Sequence, residues 1–144
     1  MKMTDIQPIL DGIKNQLGYS DADMEVWKNN PKNIELITSG KVAELGKYRV
    51  VAEVIKSHGC AMGHKVGDKL IFSGMGGYEG KEPAGPACVS ALAPVLPLVL
   101  GVLNNVAAGN DPQKMAFNRI KCLDVGLENG GWGEILMEIQ VEKS

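Results

Sequence analysis

The stretch SHGCAMGHKVGD, residues 57–68, contains both histidines of the chain and one of its three cysteines. Thiolates and imidazoles are the side chains that hold zinc and ferrous iron, and a thiolate is also the nucleophile of cysteine chemistry. Cys60 and His64 stand in a C-x3-H relation. On a helix that spacing would put both on one face. Gly59 and Gly63 argue instead for a loop, which can still fold two side chains onto one ion. Cys88 falls near the expected start of a long apolar helix, where the positive end of the helix dipole favours a thiolate. Cys122 falls in a strand-like run, NRIKCLDVG. A loop, a helix start and a strand can converge on one point, which makes Cys60, His64, Cys88 and Cys122 a candidate ligand set for zinc or iron.

Each of these residues also has a plainer reading. Free cysteine packs like a small hydrophobe, and the neighbours of Cys88 and Cys122 are apolar. His58 reads as an exposed loop residue, as an acid–base group beside the site or as a substitute ligand, and Asp124, two residues after Cys122, as an acid–base group or as a solvent-facing residue at a strand end. The C-x2-C pairs of structural zinc knuckles are absent, so spacing alone does not fix the ligands. GMGG at 74–77 lacks both the Lys-Ser/Thr of a P-loop and the dinucleotide spacing, and reads as a hairpin or lid. Asp68 reads as a turn residue, and Trp132, within GGWG, as either an aromatic pocket wall or, in the plainer reading, a half-buried side chain at a bulge. No serine has the framing of a Ser-His-Asp arrangement.

Three functions follow from different classes. The first is a metal-assisted enzyme acting on a small carbonyl or hydroxy compound, with His58 or Asp124 as acid–base group. The second is a non-enzymatic protein, or accessory subunit, with a closed Cys3His zinc site. The third is a thiol redox protein, which would form a disulfide between two of its cysteines.

The elements that must position these residues are legible from periodicity. Ile6, Ile9, Leu10, Ile13 and Leu17 mark an amphipathic helix over residues 4–18, with Thr4 as its N-cap and Gly18 as its end. Ser20 and Asp23 open a second helix that stops before Asn29-Asn30-Pro31. A weaker third covers 33–45 with a break near Ser39-Gly40. From Lys47 the period changes: YRVVAEVI (48–55) and Lys69 to Ser73 read as strands, 74–85 as a surface loop, and Phe117 to Val125 and Glu134 to Val141 as two further strands. Between them ACVSALAPVLPLVLGVL (87–103) reads as a buried helix, with Pro94 as a start or kink. The expected fold is α+β: a helical arm, residues 1–46, then a domain, residues 47–144, with a small, mostly antiparallel sheet packed on one apolar helix.

A chain of 144 residues has the length of about one domain. Its 15 basic and 17 acidic residues give a net charge of −2, and no basic run supplies the electrostatic footprint of a nucleic-acid binder. The 87–103 run is shorter than the ~20 residues of a membrane span and holds two prolines, so no membrane partner is expected. An odd cysteine count with no framework spacing, and a first segment broken by Asp5, Gln7, Asp11 and Lys14, point to the cytoplasm. A helix apolar on more than one face must be enclosed, so a homo-oligomer, dimer or trimer, is expected, with a small molecule as a further ligand of the site.

C-x3-HKVGD-x-x-x-F, then a cysteine opening an Ala/Leu/Pro-rich helix, then a cysteine–aspartate strand resembles an uncharacterised family of small prokaryotic proteins. Here those elements are Cys60, Gly63 to Asp68, Cys88, and Cys122 with Asp124, and the resemblance covers roughly residues 47–142. It implies that the three cysteines act as a group, and it supplies no reaction. Members often read Cys-Pro-Asp at the last motif, where this chain has Cys122-Leu123-Asp124, so the local turn differs while Asp124 stays in place.

Overall fold

β-branched residues crowd the chain from Tyr48, and there the backbone runs extended at the centre of a sheet. The computed structural model describes residues 3–144, and it divides into two units, Met1–Glu44 and Leu45–Ser144. The first unit is helical: a 3-10 turn Met3–Ile6, then α1 (Gln7–Leu17), α2 (Asp21–Lys28), α3 (Pro31–Thr38) and α4 (Lys41–Leu45), whose last residue falls in the second unit. α1 ends on Gly18 in a left-handed conformation, while the side chain of Thr4, its expected cap, lies outside the described residues. α2 opens with a capping box between Ser20 and Asp23. Ile6, Leu10, Met24 and Ile37 form this unit's own core.

The second unit is a five-stranded antiparallel sheet in the order β3-β2-β1-β5-β4, with helix α5 (Val89–Ala107) beside it. The strands are β1 (Tyr48–His58), β2 (Lys69–Ser73), β3 (Tyr78–Glu82), β4 (Arg119–Lys121) and β5 (Glu134–Lys143). The fold class is therefore α+β, as the periodicity indicated. Val50, Ala52 and Val54 of β1, Leu70 and Phe72 of β2, and Ile135, Met137, Ile139 and Val141 of β5 share one face of the sheet. That face packs on Ala91, Val95, Val99, Val102 and Val106 of α5, which recur at helical spacing along a single stripe.

Several elements differ from the reading of the sequence, each for a local reason. The expected surface loop at 74–85 contains β3, because GMGG closes a tight hairpin in which the Ser73 hydroxyl accepts the Gly77 N–H. β4 is only three residues long, so Cys122 lies one residue past its end. β1 runs on to His58, because β5 is long enough to pair with it there. Pro94 neither starts nor ends α5: both Pro94 and Pro97 lie inside one continuous helix. α5 is long and apolar enough to cross a membrane, but its buried stripe belongs to the domain's core. Its opposite side leaves Leu96 and Leu100 exposed.

Candidate functional site

At one end of the sheet a cavity of about 110 Å3 is lined by Cys60, His64, Cys88, Cys122 and Asp124, together with Met62 and Glu134. The three cysteines are free thiols, each half-buried. Among the described residues no three His, Cys, Asp or Glu side chains are grouped tightly enough to grasp an ion as they stand.

Each donor is brought there by an identifiable backbone feature. Between Val54 and Lys56 the β1–β5 register slips by one residue, a bulge at Ile55. Past the bulge Ser57 lies opposite Ile135 on the core side, and its hydroxyl donates to the His64 carbonyl at 2.6 Å. The loop then turns at Gly59 and Gly63, both with positive φ, which places Cys60 and His64. It is tied back where the Gly67 N–H donates to the Val54 carbonyl and the Val54 N–H donates to the Asp68 carbonyl, both at 2.8 Å.

Cys88 is the N-cap residue of α5. Pro94 has no N–H to donate to the Ser90 carbonyl four residues back, and that carbonyl instead accepts the Leu123 N–H at 2.9 Å. The helix proline thus frees the acceptor that pins the Cys122–Asp124 segment beside Cys88. Cys122 is held from its other side as well. Its N–H donates to the Ile135 carbonyl at 3.1 Å, and its Sγ accepts the Ile135 N–H at 3.4 Å.

His64 is 2% exposed, and neither ring nitrogen has a hydrogen-bond partner among the described residues. Its Nδ1 faces Asp68 Oδ2 at 3.8 Å, too long for a hydrogen bond. Asp68 is itself buried. The same Oδ2 accepts from Lys81 Nζ at 2.8 Å and from the Lys65 N–H at 3.1 Å. Burial, and then the Lys81 ammonium, lower the His64 pKa below its usual 6.5, with Asp68 pulling the other way. For Asp68 burial acts upward, but Lys81 and the Lys65 N–H outweigh it and hold the carboxyl below its ordinary value. From sequence Asp68 reads only as a turn residue, and Lys81 is not singled out. The signal for Asp68 was its i+4 position after His64, whereas nothing local marks Lys81, which arrives through β2–β3 pairing.

The two acid–base candidates are placed differently. Asp124 lines the cavity, but its carboxylate accepts the N–H groups of Gly126 (2.9 Å) and Trp132 (3.2 Å). The Gly126 bond is the main reason its pKa is lowered; burial opposes it, and bonds from Trp132 and Gly133 add to it. It organises the 124–133 loop as an ionised acceptor. His58 is exposed and pairs with Glu134 on the face of the sheet away from α5. There it lines an open cleft of about 570 Å3 with Lys56, Val66, Lys121 and Leu136, not the thiol cavity. Trp132 is 78% exposed rather than half-buried, because the backbone N–H, not the ring, is what the loop uses.

No protein-family model, curated protein or solved structure matches this chain. The functional reading therefore rests on the site.

The lowered His64 pKa predicts how the metal-free protein responds to acid. Below pH 6.5 the unfolded chain takes up a proton that folded His64 refuses, so stability present above that pH is lost as pH falls through the folded value. Urea midpoints measured from pH 7.5 down to pH 5 should fall, and a His64→Gln variant should flatten the slope. An unchanged slope would count against a buried neutral imidazole.

Proposed function

We propose that Cys60, His64, Cys88 and Cys122 are the ligands of one zinc or ferrous ion, and that the protein functions through this ion. The observation that carries the proposal is His64, a buried imidazole with both nitrogens unpartnered among the described residues, in a cavity whose lining includes three thiols. An unsatisfied buried polar group costs about 1–3 kcal/mol, and a metal bond from Nε2 would remove that cost. Three thiolates and one imidazole suit zinc or ferrous iron, and metal binding would draw the donors inward across the cavity. The grouping of the same cysteines in the resemblance at C-x3-HKVGD supports this reading, and reduced thiols fit a cytoplasmic compartment.

Four protein ligands make a closed shell, and the surroundings favour a closed site over an open catalytic one. The oxygens of Asp124 are committed to backbone amides, and His58 faces the opposite cleft. Cobalt substitution tests this directly. A closed site gives tetrahedral ligand-field bands with sulfur charge-transfer absorption, unmoved by added azide or thiocyanate. Bands that shift with those anions would restore the metal-assisted enzyme, and a disulfide with no bound cobalt would favour the redox reading.

A homo-oligomer through α5 is proposed as well. The helix carries no charged residue over its 19 positions, so a second copy of its exposed Leu96–Leu100 side meets no like charge, and closed symmetric pairs are the commonest oligomers. Light scattering should give a dimer or trimer that Leu100→Glu converts to a monomer. A monomeric parent at micromolar concentration would sink this.

A further inference from the structure

We infer that Asp68 is the positioning residue of the metal site, acting through His64, and that Lys81 is the buried counter-ion that fixes it. This deepens the metal reading and rests on it for its consequence, though not for its geometry. An imidazole has two nitrogens, and in its neutral form one carries the proton while the other is free to bind a metal. Which one is free is set by what the other faces. In this protein Nδ1 is turned toward Asp68 Oδ2, 3.8 Å away, so a proton on Nδ1 meets an ionised carboxylate and Nε2 is left as the lone-pair nitrogen. Metal-ligating histidines are oriented in this way by a carboxylate on their other nitrogen.

Asp68 can serve only if it stays ionised and stays put. The Lys65 N–H binds the same Oδ2 at 3.1 Å, closing the HKVGD turn onto its own aspartate. Lys81 binds it at 2.8 Å from β3, with both side chains about nine-tenths buried. Lys81 lies opposite Leu70 in the β2–β3 register, on the core side of the sheet. A lysine in that position is costly unless paired. Its placement is accounted for if its task is to anchor Asp68. The contact of 3.8 Å is slack, and it would tighten to a hydrogen bond as His64 moves toward an ion.

The test separates positioning from metal binding by reading the tautomer in metal-free protein. With only two histidines in the chain, a His58→Gln variant assigns the imidazole nitrogen signals of His64 by NMR. The expected state is Nδ1–H with an unprotonated Nε2. Asp68→Asn should shift the population toward Nε2–H and weaken zinc affinity by roughly 10- to 100-fold, measured by competition with a chromophoric chelator. If Asp68→Asn fails to fold because Lys81 is stranded, the double variant Asp68→Asn/Lys81→Met removes the unpaired charge and should show the same two changes. A wild-type His64 already in the Nε2–H form would overturn the inference, as would variants that keep both the tautomer and the zinc affinity. If the tautomer responds but the wild type binds no zinc, the positioning stands and the metal reading fails.

Discussion

Protein stripped with chelator and titrated with zinc under anaerobic conditions is expected to take up about one ion per chain, and Cys60→Ser to take up none. The ligands come from a loop, a helix start and the end of a strand, so no comparable site survives in the unfolded chain and binding free energy becomes folding free energy. At zinc about a thousandfold above its dissociation constant the linkage amounts to about 4 kcal/mol. For a unit of this size that raises Tm by on the order of 10 °C or more. Cys60→Ser should melt at the temperature of the metal-free wild type whether or not zinc is present. The plainer reading, cysteine as a small hydrophobe at the edge of the core, predicts something different. Cys60→Ser would then cost little more than the burial of one sulfur, and zinc would not change the melting of either protein. A wild type whose Tm ignores zinc decides for packing.

The same contrast shows what the sequence could and could not disclose. Helix α2 was legible because Ser20 and Asp23 write its start into four residues, and β5 because its apolar residues alternate without interruption. The meeting of Cys60, His64, Cys88 and Cys122 around one cavity was legible only as a topological expectation, since they lie on three separate elements. Three features escaped for a physical reason. The bulge at Ile55 turns Ser57 to the core face and His58 away from it, the reverse of what unbroken alternation from Val54 would give, and a one-residue slip leaves no mark in composition. Pro94 reads as a helix start or a kink because a proline removes a helical hydrogen bond. The long apolar helix absorbs that loss, and the freed Ser90 carbonyl is used by Leu123. Lys81 reads as an ordinary surface-loop lysine until β2–β3 pairing buries it beside Asp68. Local rules failed where partners come from far along the chain, and those places surround the cavity.

Two glycine-to-alanine substitutions should have opposite effects. A Cβ on Gly133 would stand 2.2 Å from the His58 carbonyl oxygen and 2.3 Å from the carbonyl carbon and oxygen of Gly59. All three are backbone atoms, so no rotamer change relieves the contact and the ends of β1 and β5 must part. Gly133→Ala should cost about 3 kcal/mol or more, at the upper end for overpacking. Parting these strands also moves Ile135, whose N–H and carbonyl hold Cys122, so zinc affinity should fall together with stability. Gly101, inside α5, has nothing within 4 Å of its Cβ position. Gly101→Ala should stabilise by about 0.5–1 kcal/mol through helix propensity and leave zinc affinity unchanged. Urea denaturation of the metal-free proteins gives the first quantity and chelator competition the second. A Gly133→Ala protein that is destabilised yet binds zinc as the wild type does would show that Cys122 is not held by the β1–β5 end. In that case the Leu123–Ser90 bond beside Cys88 is left as the contact that fixes it, and Pro94→Ala, which returns a competing N–H to the Ser90 carbonyl, becomes the substitution that should release the metal.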